Sequence, residues 1–526
     1  METMPQKLRG LGVMLAIGIL PGCCRRTTNA LVIADPRRRP SIRTLTAQLG
    51  FSTKPAVIQK RLVSLSCMAV TTVRSRPLRS TSTTVQGGYF DDIVSSTASI
   101  ASTLQNAYES RGTDGVVEAI LGCNVLSKLV RHGEDHAAYV LIEAARQAAP
   151  ERDRLALAST LNAILASCCG DEDGKGGFPG ISFNMLLTID ELCRDDEAMV
   201  APDIVTLSLV YHCLHKSSGE FESHCRSILE RAQKLAKKKA GSQRRKQLAA
   251  ERRRKVMDQD LLQIQSRLRE LCGPDITVLE NTEDLIVVSK PSGVVCYHTK
   301  MTTAGKITKK RKQKARSNQP DFTGQADISL VDALLDVTSL STINPLARGI
   351  VHRIDRGTSG ALVLAKTDEC HLELVALFFL RRVKKKYFAL VHGDDMLEQE
   401  GTIDSDIEGK HAVSRYRVIK IHEDAGKPFA VQLEVETLTG RKHQVRIHCA
   451  HGLGRPIILD PLYGQDGSQQ LSDRISKLEK ELNGMREMFF LHAAQISIPE
   501  FGITAEAPLP SSWCEILDQQ ESSCNQ

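Results

Sequence analysis

The chain has 526 residues, of which 41% are hydrophobic and 25% are charged, and this length exceeds what a single globular core usually needs. We therefore expect two or three domains. Aromatic residues make up only 4%, and Trp513 is the one tryptophan, which argues against β-propellers, lectin-like sandwiches and porin barrels. The formal net charge of +7 suggests a nucleic-acid partner, so the distribution of charge along the chain matters.

Positive charge is concentrated in three segments. Residues 1–90 contain fourteen Lys or Arg and two acids, and residues 231–255 contain twelve basic residues and one acid. Residues 300–316 contain eight basic residues and no acid. The rest of the chain carries a net charge of −24, so the folded parts are expected to be acidic.

The first 90 residues are rich in Arg, Ser and Thr, which is the composition of an organelle transit peptide. We predict a disordered targeting leader for a mitochondrion or plastid, in preference to a cytoplasmic location. The apolar run 11–20 is about half the length of a transmembrane helix and could instead be the core of a signal peptide. A disordered basic tail that binds RNA is another alternative. We expect a soluble protein with no membrane partner.

Residues 91–230 have apolar side chains at helical spacing, which predicts helical hairpin repeats. The predicted helices are 116–130, 137–148, 155–167, 183–193, 207–214 and one from residue 221 onward. Gly133 and Pro150 should end the first two. Three of the helices superpose at offsets of 38 and 46 residues, a period in the range of stacked helical arrays.

One segment of this region, Ala201-Pro-Asp-Ile-Val-Thr206, resembles the start of a pentatricopeptide repeat. The resemblance implies that the polar positions Asn124, Asn162 and Ser208 contact RNA bases. A helical bundle used for packing or protein contact is the alternative, with Asn and Ser acting as ordinary helix caps.

Residues 231–272 are predicted to form a basic linker helix. Its second half has an apolar stripe through Leu261, Leu262, Ile264 and Leu268. A solvated linker is one interpretation, and contact with RNA phosphates, which releases counterions, is the other.

From residue 273 the pattern changes to the alternation typical of strands, and we predict a second folded domain over 273–515 with a tail at 516–526. Strands are expected at 276–279, 285–288 and 361–365, and a helix at 330–340. A turn is expected at Lys290-Pro-Ser-Gly293. The basic stretch 300–325 is expected to be an inserted, disordered loop.

Several motifs follow one another in this domain. They are Val287-Val-Ser-Lys290-Pro291-x-Gly293, His352-Arg353-Ile354-Asp355-x-x-Thr358-Ser359-Gly360, Lys386-Tyr387, Gly440-Arg441-Lys442-His443-Gln444-Val445-Arg446-Ile447-His448, Pro456-x-x-x-Asp460-x-x-Tyr463-Gly464 and Leu491-His492-Ala493. In this order they resemble the RluA-type pseudouridine synthases across most of 273–515. Leu459 departs from the pattern, because the family usually has glycine there. The resemblance implies an α+β fold whose catalytic domain is a mixed, mainly antiparallel sheet preceded by an all-α region.

The resemblance also implies the reaction. The bond between uracil N1 and ribose C1′ breaks, the base turns, and it rejoins through C5, with no redox change and no cofactor. Asp355 would be the ionised carboxylate, acting either as a nucleophile or as a base on the sugar. Arg446 would pair with it, and Tyr387 would stack on or contact the uracil. A turn-capping Asp, a surface ion pair and core packing are the respective alternatives.

Further motif residues are implied to bind RNA. Arg353 would occupy the space that the target uridine leaves when it flips out of its stack. Ile447 would pack on the other side of the base. The remaining members of this set are Thr358, Arg441, His443 and Gln444.

No metal is expected. The fifteen cysteines are scattered without a CxxC motif, which favours a reducing compartment, and His443, His448 and His451 lack clustered Cys or acidic partners. The sequence therefore predicts a monomeric organellar RNA pseudouridine synthase that acts on rRNA or tRNA. The alternative is a non-catalytic RNA-binding or ribosome-assembly factor that retains the fold.

Overall fold

The computed structural model describes residues 86–149, 153–171, 174–196, 198–217, 221–239, 261–298, 328–393, 398–424, 427–464, 488–510 and 513. The predicted leader up to residue 85, the middle of the basic linker, the basic insertion and the tail lie outside the described residues. The predictions made for them therefore stay predictions.

Helices occupy most of the described chain before residue 240. They are α1 Gln86–Gly122, α2 Val125–Leu129, α3 Glu134–Ala148, α4 Arg154–Ser167, α5 Pro179–Asp195, α6 Ile204–His215 and α7 Glu222–Lys239, with a 3₁₀ turn Val130–His132 between α2 and α3. The predicted helical character is confirmed. The first helix extends further than predicted, because α1 begins inside the segment assigned to the leader.

Local sequence explains where several of these helices begin. The Asp153 carboxylate accepts hydrogen bonds from the backbone N–H groups of Leu155 and Ala156 at the start of α4. At the start of α6, Asp203 and Thr206 form a reciprocal capping box. Both arrangements satisfy N–H groups that have no partner inside the helix.

The helical region shares its hydrophobic core with the sheet region. Apolar side chains from α1 to α7 form one buried cluster, and Ile343, Leu372 and Ala376 from the sheet region belong to the same cluster. Leu372 and Ala376 lie on the helix Asp368–Phe379, which packs against α6. The helices are therefore fixed to the domain that follows them.

The helix α8, Leu261–Cys272, leads into a sheet. Within the described residues the strands are β1 Thr277–Asn281, β2 Leu285–Lys290, β3 Ser359–Ala365, β4 Lys384–His392, β5 Glu400–Asp404, β6 Val413–Asp424, β7 Lys427–Thr437, β8 Leu491–Ile498 and β9 Ile503–Glu506. Their order is β1-β2-β3-β8-β4-β7-β6-β5, with β9 paired to β8. Among these pairs β3 and β8 are parallel and the others antiparallel. The predicted mixed, mainly antiparallel sheet and the α+β class are confirmed.

Strands β2 and β3 are covered by helices on both faces. Ile286 and Val288 pack with α8 and with α9, Leu330–Val337, whereas Leu285 and Val287 pack with α10, Asp368–Phe379. Burial on both faces explains why these strands are continuously apolar.

Gly360 brings the start of β3 against β8. Its φ is +110°, and a Cβ atom at this position would lie 2.2 Å from the carbonyl oxygen of Ala493. Only glycine fits such an approach. The loop 351–358, which precedes β3, is therefore held beside the middle of the sheet.

Candidate active site

A cavity of about 780 Å³ lies where the loop 351–358, strand β4 and the segment 436–446 meet. Three residues from separate sequence motifs, Asp355, Tyr387 and Arg446, line it together. The other predicted site residues that line it are Arg353, Thr358, Arg441, His443 and Gln444. Ile447 is half-buried on the single-turn helix α11, Gln444–Ile447, and is not part of the lining.

The turn after β2 holds the loop that carries Asp355. The amide of Gly293 donates to the carbonyl oxygen of Arg356 (2.8 Å), and the hydroxyl of Ser292 donates to that of Gly357 (2.7 Å). The fully buried ammonium of Lys290 donates to the carbonyl oxygens of Pro291, Val294 and Arg356 at 2.8–3.1 Å. The position of Asp355 is thus set by backbone contacts from the Lys290-Pro-Ser-Gly293 motif.

The buried Arg446 joins two carboxylates. Its Nη1 donates to Oδ2 of Asp355 at 3.0 Å, and its Nε and Nη2 donate to the two carboxylate oxygens of Asp460, each at 2.8 Å. Asp355 is partly exposed to the cavity, whereas the side chain of Asp460 is fully buried. Asp460 therefore fixes the guanidinium, and Nη1 of the guanidinium faces Asp355.

Aromatic rings complete the surroundings of this arginine. The guanidinium carbon lies 4.3 Å from the ring centroid of Phe489 and 5.1 Å from that of Tyr463. Burial alone would lower the pKa of Arg446, but the hydrogen bonds and charges of Asp460 and Asp355 raise it. The arginine remains a cation and offsets the cost of placing the Asp355 carboxylate in a water-poor cavity.

Tyr387 is on strand β4, and its side chain lies near Asp355, which is in the loop 351–358. It is partly buried, and burial together with the nearby charge of Asp355 raises the pKa of its hydroxyl to about 12. The ring is therefore a neutral phenol at physiological pH. Such a ring can stack on a planar base.

His443 is the third neighbour of Asp355. Its Nε2 lies 3.6 Å from Oδ1 of Asp355, and its Nδ1 shares a hydrogen bond of 2.9 Å with the hydroxyl of Tyr463. Burial, the largest influence, lowers the pKa of His443, so the imidazole is neutral near pH 7. A neutral ring can orient Tyr463 and the carboxylate without adding charge.

Not every motif residue has a side chain available to a ligand. The amide of Gln444 accepts from Thr439 and from the backbone of Arg441, and it donates to Val413 and Ser414. It therefore fixes the turn before α11. Arg353, by contrast, is exposed at the cavity.

Other motif residues also hold the backbone around the cavity. His352 is a neutral acceptor for the amide of Val363, because burial lowers its pKa to about 3. Thr358 is buried in the cavity wall, and the Nε of Arg441 donates to the carbonyl oxygen of His411 at 2.9 Å. Leu459 has a φ of +63°, in the left-handed region that favours glycine, which accounts for the glycine usual in the family.

The three residues predicted to read bases in the helical region do not share a surface. Asn124 is exposed in the turn between α1 and α2. Asn162 is buried and its side-chain oxygen accepts a hydrogen bond from Thr206, and Ser208 is fully buried. Their burial excludes base contacts by Asn162 and Ser208 in this structure.

The contacts of Arg446 with Asp460 and with the ring of Phe489 were not predicted from the sequence. Asp460 stood in a recognised motif, which was a usable signal, but nothing in the sequence paired it with Arg446.

Across the described ranges no group of three His, Cys, Asp or Glu side chains is arranged to hold a metal ion. None of the helices in those ranges is long and apolar enough to cross a membrane.

Part of this chain resembles known proteins. A family model described as RNA pseudouridylate synthase matches residues 284–451. An uncharacterized RNA pseudouridine synthase, YlyB of Bacillus subtilis, is 31% identical over 46% of this chain and 72% of its own length. The ribosomal large subunit pseudouridine synthase D of Pseudomonas aeruginosa is 30% identical over 46% of this chain and 71% of its own. The chain therefore belongs to the RNA pseudouridine synthase family, which is a family of isomerases.

Other matches cover less or are more distant. The ribosomal large subunit pseudouridine synthase D of Zymomonas mobilis is 34% identical over 36% of this chain, and the match spans 56% of that relative. The solved structure of human RNA Pseudouridylate Synthase Domain Containing 4 covers 50% of this chain and 96% of its own, with 21% identity and a TM-score of 0.33.

Proposed function

We propose that this chain converts uridine to pseudouridine in structured RNA, with Asp355 as the catalytic carboxylate. The observation that carries the proposal is the Asp355–Arg446 pair, 3.0 Å apart, in a cavity that Tyr387 also lines. The names of the relatives from Pseudomonas and Zymomonas favour rRNA as the substrate. A tRNA substrate remains the alternative within the same class.

The residues fit the steps of the reaction. Arg446 donates a hydrogen bond to the Asp355 carboxylate and holds it at the cavity, where the carboxylate can either attack C1′ of the ribose or remove a proton from the sugar. The N1–C1′ bond then breaks, and the uracil is held against the neutral ring of Tyr387 while it turns. On the nucleophilic route the Asp355–C1′ bond breaks as the C5–C1′ bond forms, and on the base route the proton taken from the sugar returns to it. In both routes the hydrogen on C5 leaves as a proton and N1 takes up a proton, so the base is isomerised without a change of oxidation state.

Access to the cavity requires the target uridine to leave its stack. Unstacking costs a few kcal/mol in a structured RNA. Arg353 can offset part of this cost, because its exposed side chain at the cavity can occupy the space that the base vacates. Arg441 and His443 line the same wall and can contact the flanking backbone.

We further propose import into a mitochondrion or plastid, supported by the composition of residues 1–90. Fusing those residues to a fluorescent protein tests this, and a diffuse cytosolic signal would contradict it. We also propose a pentatricopeptide-like character for the helices, because the segment 201–206, which resembles the start of such a repeat, leads into α6.

Release of tritium from RNA labelled at uridine C5 tests the catalytic proposal. The wild-type protein should release tritium, and Asp355→Ala should not, because no other group in the cavity can replace a carboxylate held by Arg446. Asp190→Ala is the matched control, since Asp190 pairs with Arg231 in the helical region and does not line the cavity. Equal release by wild type and Asp355→Ala would refute the assignment of Asp355. Rescue of a deletion strain by Asp355→Ala would favour the alternative, a non-catalytic RNA-binding factor.

A further inference from the structure

The helical region forms one wall of the catalytic cavity. Thr113, Asp114, Val117 and Glu118 of α1 line the same space as Asp355 and Tyr387. The helix breaks at Arg111 and Gly112, where Gly112 has a φ of +61°, and the turn after the break lies at the cavity. We call residues 113–118 the α1 wall.

The α1 wall adds negative charge where an RNA strand must enter. The basic residues that line the cavity are Arg353, Arg381, Lys384, Lys385, Arg441 and Arg446. The acidic residues that line the cavity are Asp355 and Glu436 from the catalytic region and Asp114 and Glu118 from the α1 wall. Carboxylates at this position repel phosphates unless a cation lies between them.

Arg381 is that cation. It lies in the loop between α10 and β4, has a φ of +59°, and forms an ion pair with Asp114 across 267 residues of sequence. The side chains are 35% and 18% exposed, respectively. Such a pair adds little net stability, and a guanidinium also binds phosphate in bidentate geometry. A phosphate can therefore replace Asp114 as the partner of Arg381.

Separate contacts hold the helical region, whose core includes Val116 of the α1 wall, against the catalytic region during such an exchange. Glu373 on α10 shares hydrogen bonds with His212 (2.5 Å) and His215 (2.8 Å) of α6. Arg382, next to Arg381, donates to the carbonyl oxygen of Gly170 at 2.5 Å. The helices are thus anchored beside Arg381, and the exchange needs only a side-chain movement.

A second guanidinium lies near the same carboxylate. Burial lowers the pKa of Arg441, the positive charge of Arg381 lowers it further, and Asp114 opposes both effects. Arg441 is therefore a second positive charge close to Asp114 in the cavity lining.

We propose that the α1 wall selects the RNA substrate and that Arg381 leaves Asp114 to bind a phosphate of the strand flanking the target uridine. This rests on the proposed function at the same cavity. A strand whose backbone meets Arg381 gains one ionic contact, whereas a strand that passes elsewhere meets Asp114 and Glu118 in their ion pairs with Arg381 and Arg111 and gains no such contact.

Binding of a short, uridine-containing single-stranded RNA tests the exchange, measured as a function of salt. Asp114→Asn should bind about two- to fivefold more tightly than wild type, because the phosphate no longer competes with a carboxylate. Arg381→Gln should bind more weakly, and the slope of log affinity against log salt should become less steep by about 0.7. Glu118→Gln removes the charge of an exposed carboxylate and releases Arg111 from its ion pair, so it should also tighten binding.

Asp196→Asn is the matched control. Asp196 pairs with Arg146 at 2.7 Å in the same helical region, with side-chain exposures of 31% and 35%, and neither residue lines the cavity. Its affinity and salt slope should equal those of wild type. If Asp114→Asn and Glu118→Gln both match this control, or Arg381→Gln keeps the wild-type slope, the proposal is overturned.

The outcomes separate this inference from the proposed function. Tritium release by wild type, with unchanged binding by Asp114→Asn and Arg381→Gln, would refute the exchange alone. Absence of tritium release on every RNA tried would refute the catalytic proposal, and the binding series would still decide whether Arg381 holds a phosphate.

Discussion

Asp460 is predicted to act on the reaction through Arg446. It accepts two hydrogen bonds from the guanidinium at 2.8 Å, and its Oδ1 also accepts from the amides of Leu462 (2.9 Å) and Tyr463 (3.2 Å). In Asp460→Asn one carboxylate oxygen becomes an NH₂ group, which cannot accept from the arginine. Arg446 keeps its contact with Asp355 but loses part of the support that orients it.

The expected magnitude follows from one lost charge-assisted hydrogen bond, which is worth about 1.5–3 kcal/mol. If that bond orients Arg446 equally in the transition state, kcat falls about 10- to 150-fold. The KM for RNA should change little, because Asp460 is buried and does not meet the substrate. The free energy of unfolding should fall by about 1–3 kcal/mol.

Tritium release at saturating RNA, together with urea unfolding of the same preparation, measures both quantities. Asp190→Asn provides the control, because Asp190 also binds an arginine through both oxygens but lies away from the cavity. It should lose stability and keep the wild-type kcat. A wild-type kcat in a folded Asp460→Asn protein would show that Asp460 does not orient Arg446.

Two further predictions concern pH. Burial alone would raise the pKa of Glu373, but hydrogen bonds from His212 and His215 hold it at about 2. The Glu373 carboxylate therefore stabilises the fold at pH values above its ordinary pKa, and this stabilisation is lost as the pH falls towards 2. In urea titrations, Glu373→Gln should lower the free energy of unfolding by about 3 kcal/mol at pH 6 and by less than half as much at pH 3. Burial and the nearby charge of Arg381 lower the pKa of Lys385 to about 8, so the affinity of the protein for RNA should fall as the pH rises from 7 to 9. The affinity of Lys385→Arg should fall less, because arginine stays charged in this range. Equal pH dependence in both proteins would exclude Lys385 as the titrating group.

Local patterns in the sequence predicted the elements well. Apolar spacing located α3 to α6, because a helix buried along one face leaves a periodic trace, and β2 was located as a short apolar run that is buried on both faces. The parallel pairing of β3 with β8 could not be predicted in this way, since it joins Gly360 to Ala493 and depends on how the chain returns.

In the candidate site too, local motifs identified individual residues but not the contacts between distant parts of the chain. The motifs identified Asp355, Arg446 and Tyr387, and the structure brings all three to one cavity. Gln444 was predicted to bind RNA because it shares a motif with Arg446, but its amide is occupied by the turn that it stabilises. The Asp114–Arg381 contact has no local signature, because its two residues belong to regions with different patterns.

Pseudouridine mapping of rRNA from cells that lack the protein tests the central claim most directly. Loss of at least one pseudouridine is expected, and re-expression of wild type should restore it. Asp355→Asn, which keeps the shape of the side chain and removes its charge, should leave the position as uridine. Restoration by Asp355→Asn, or an unchanged map in cells that lack the protein, would contradict the account.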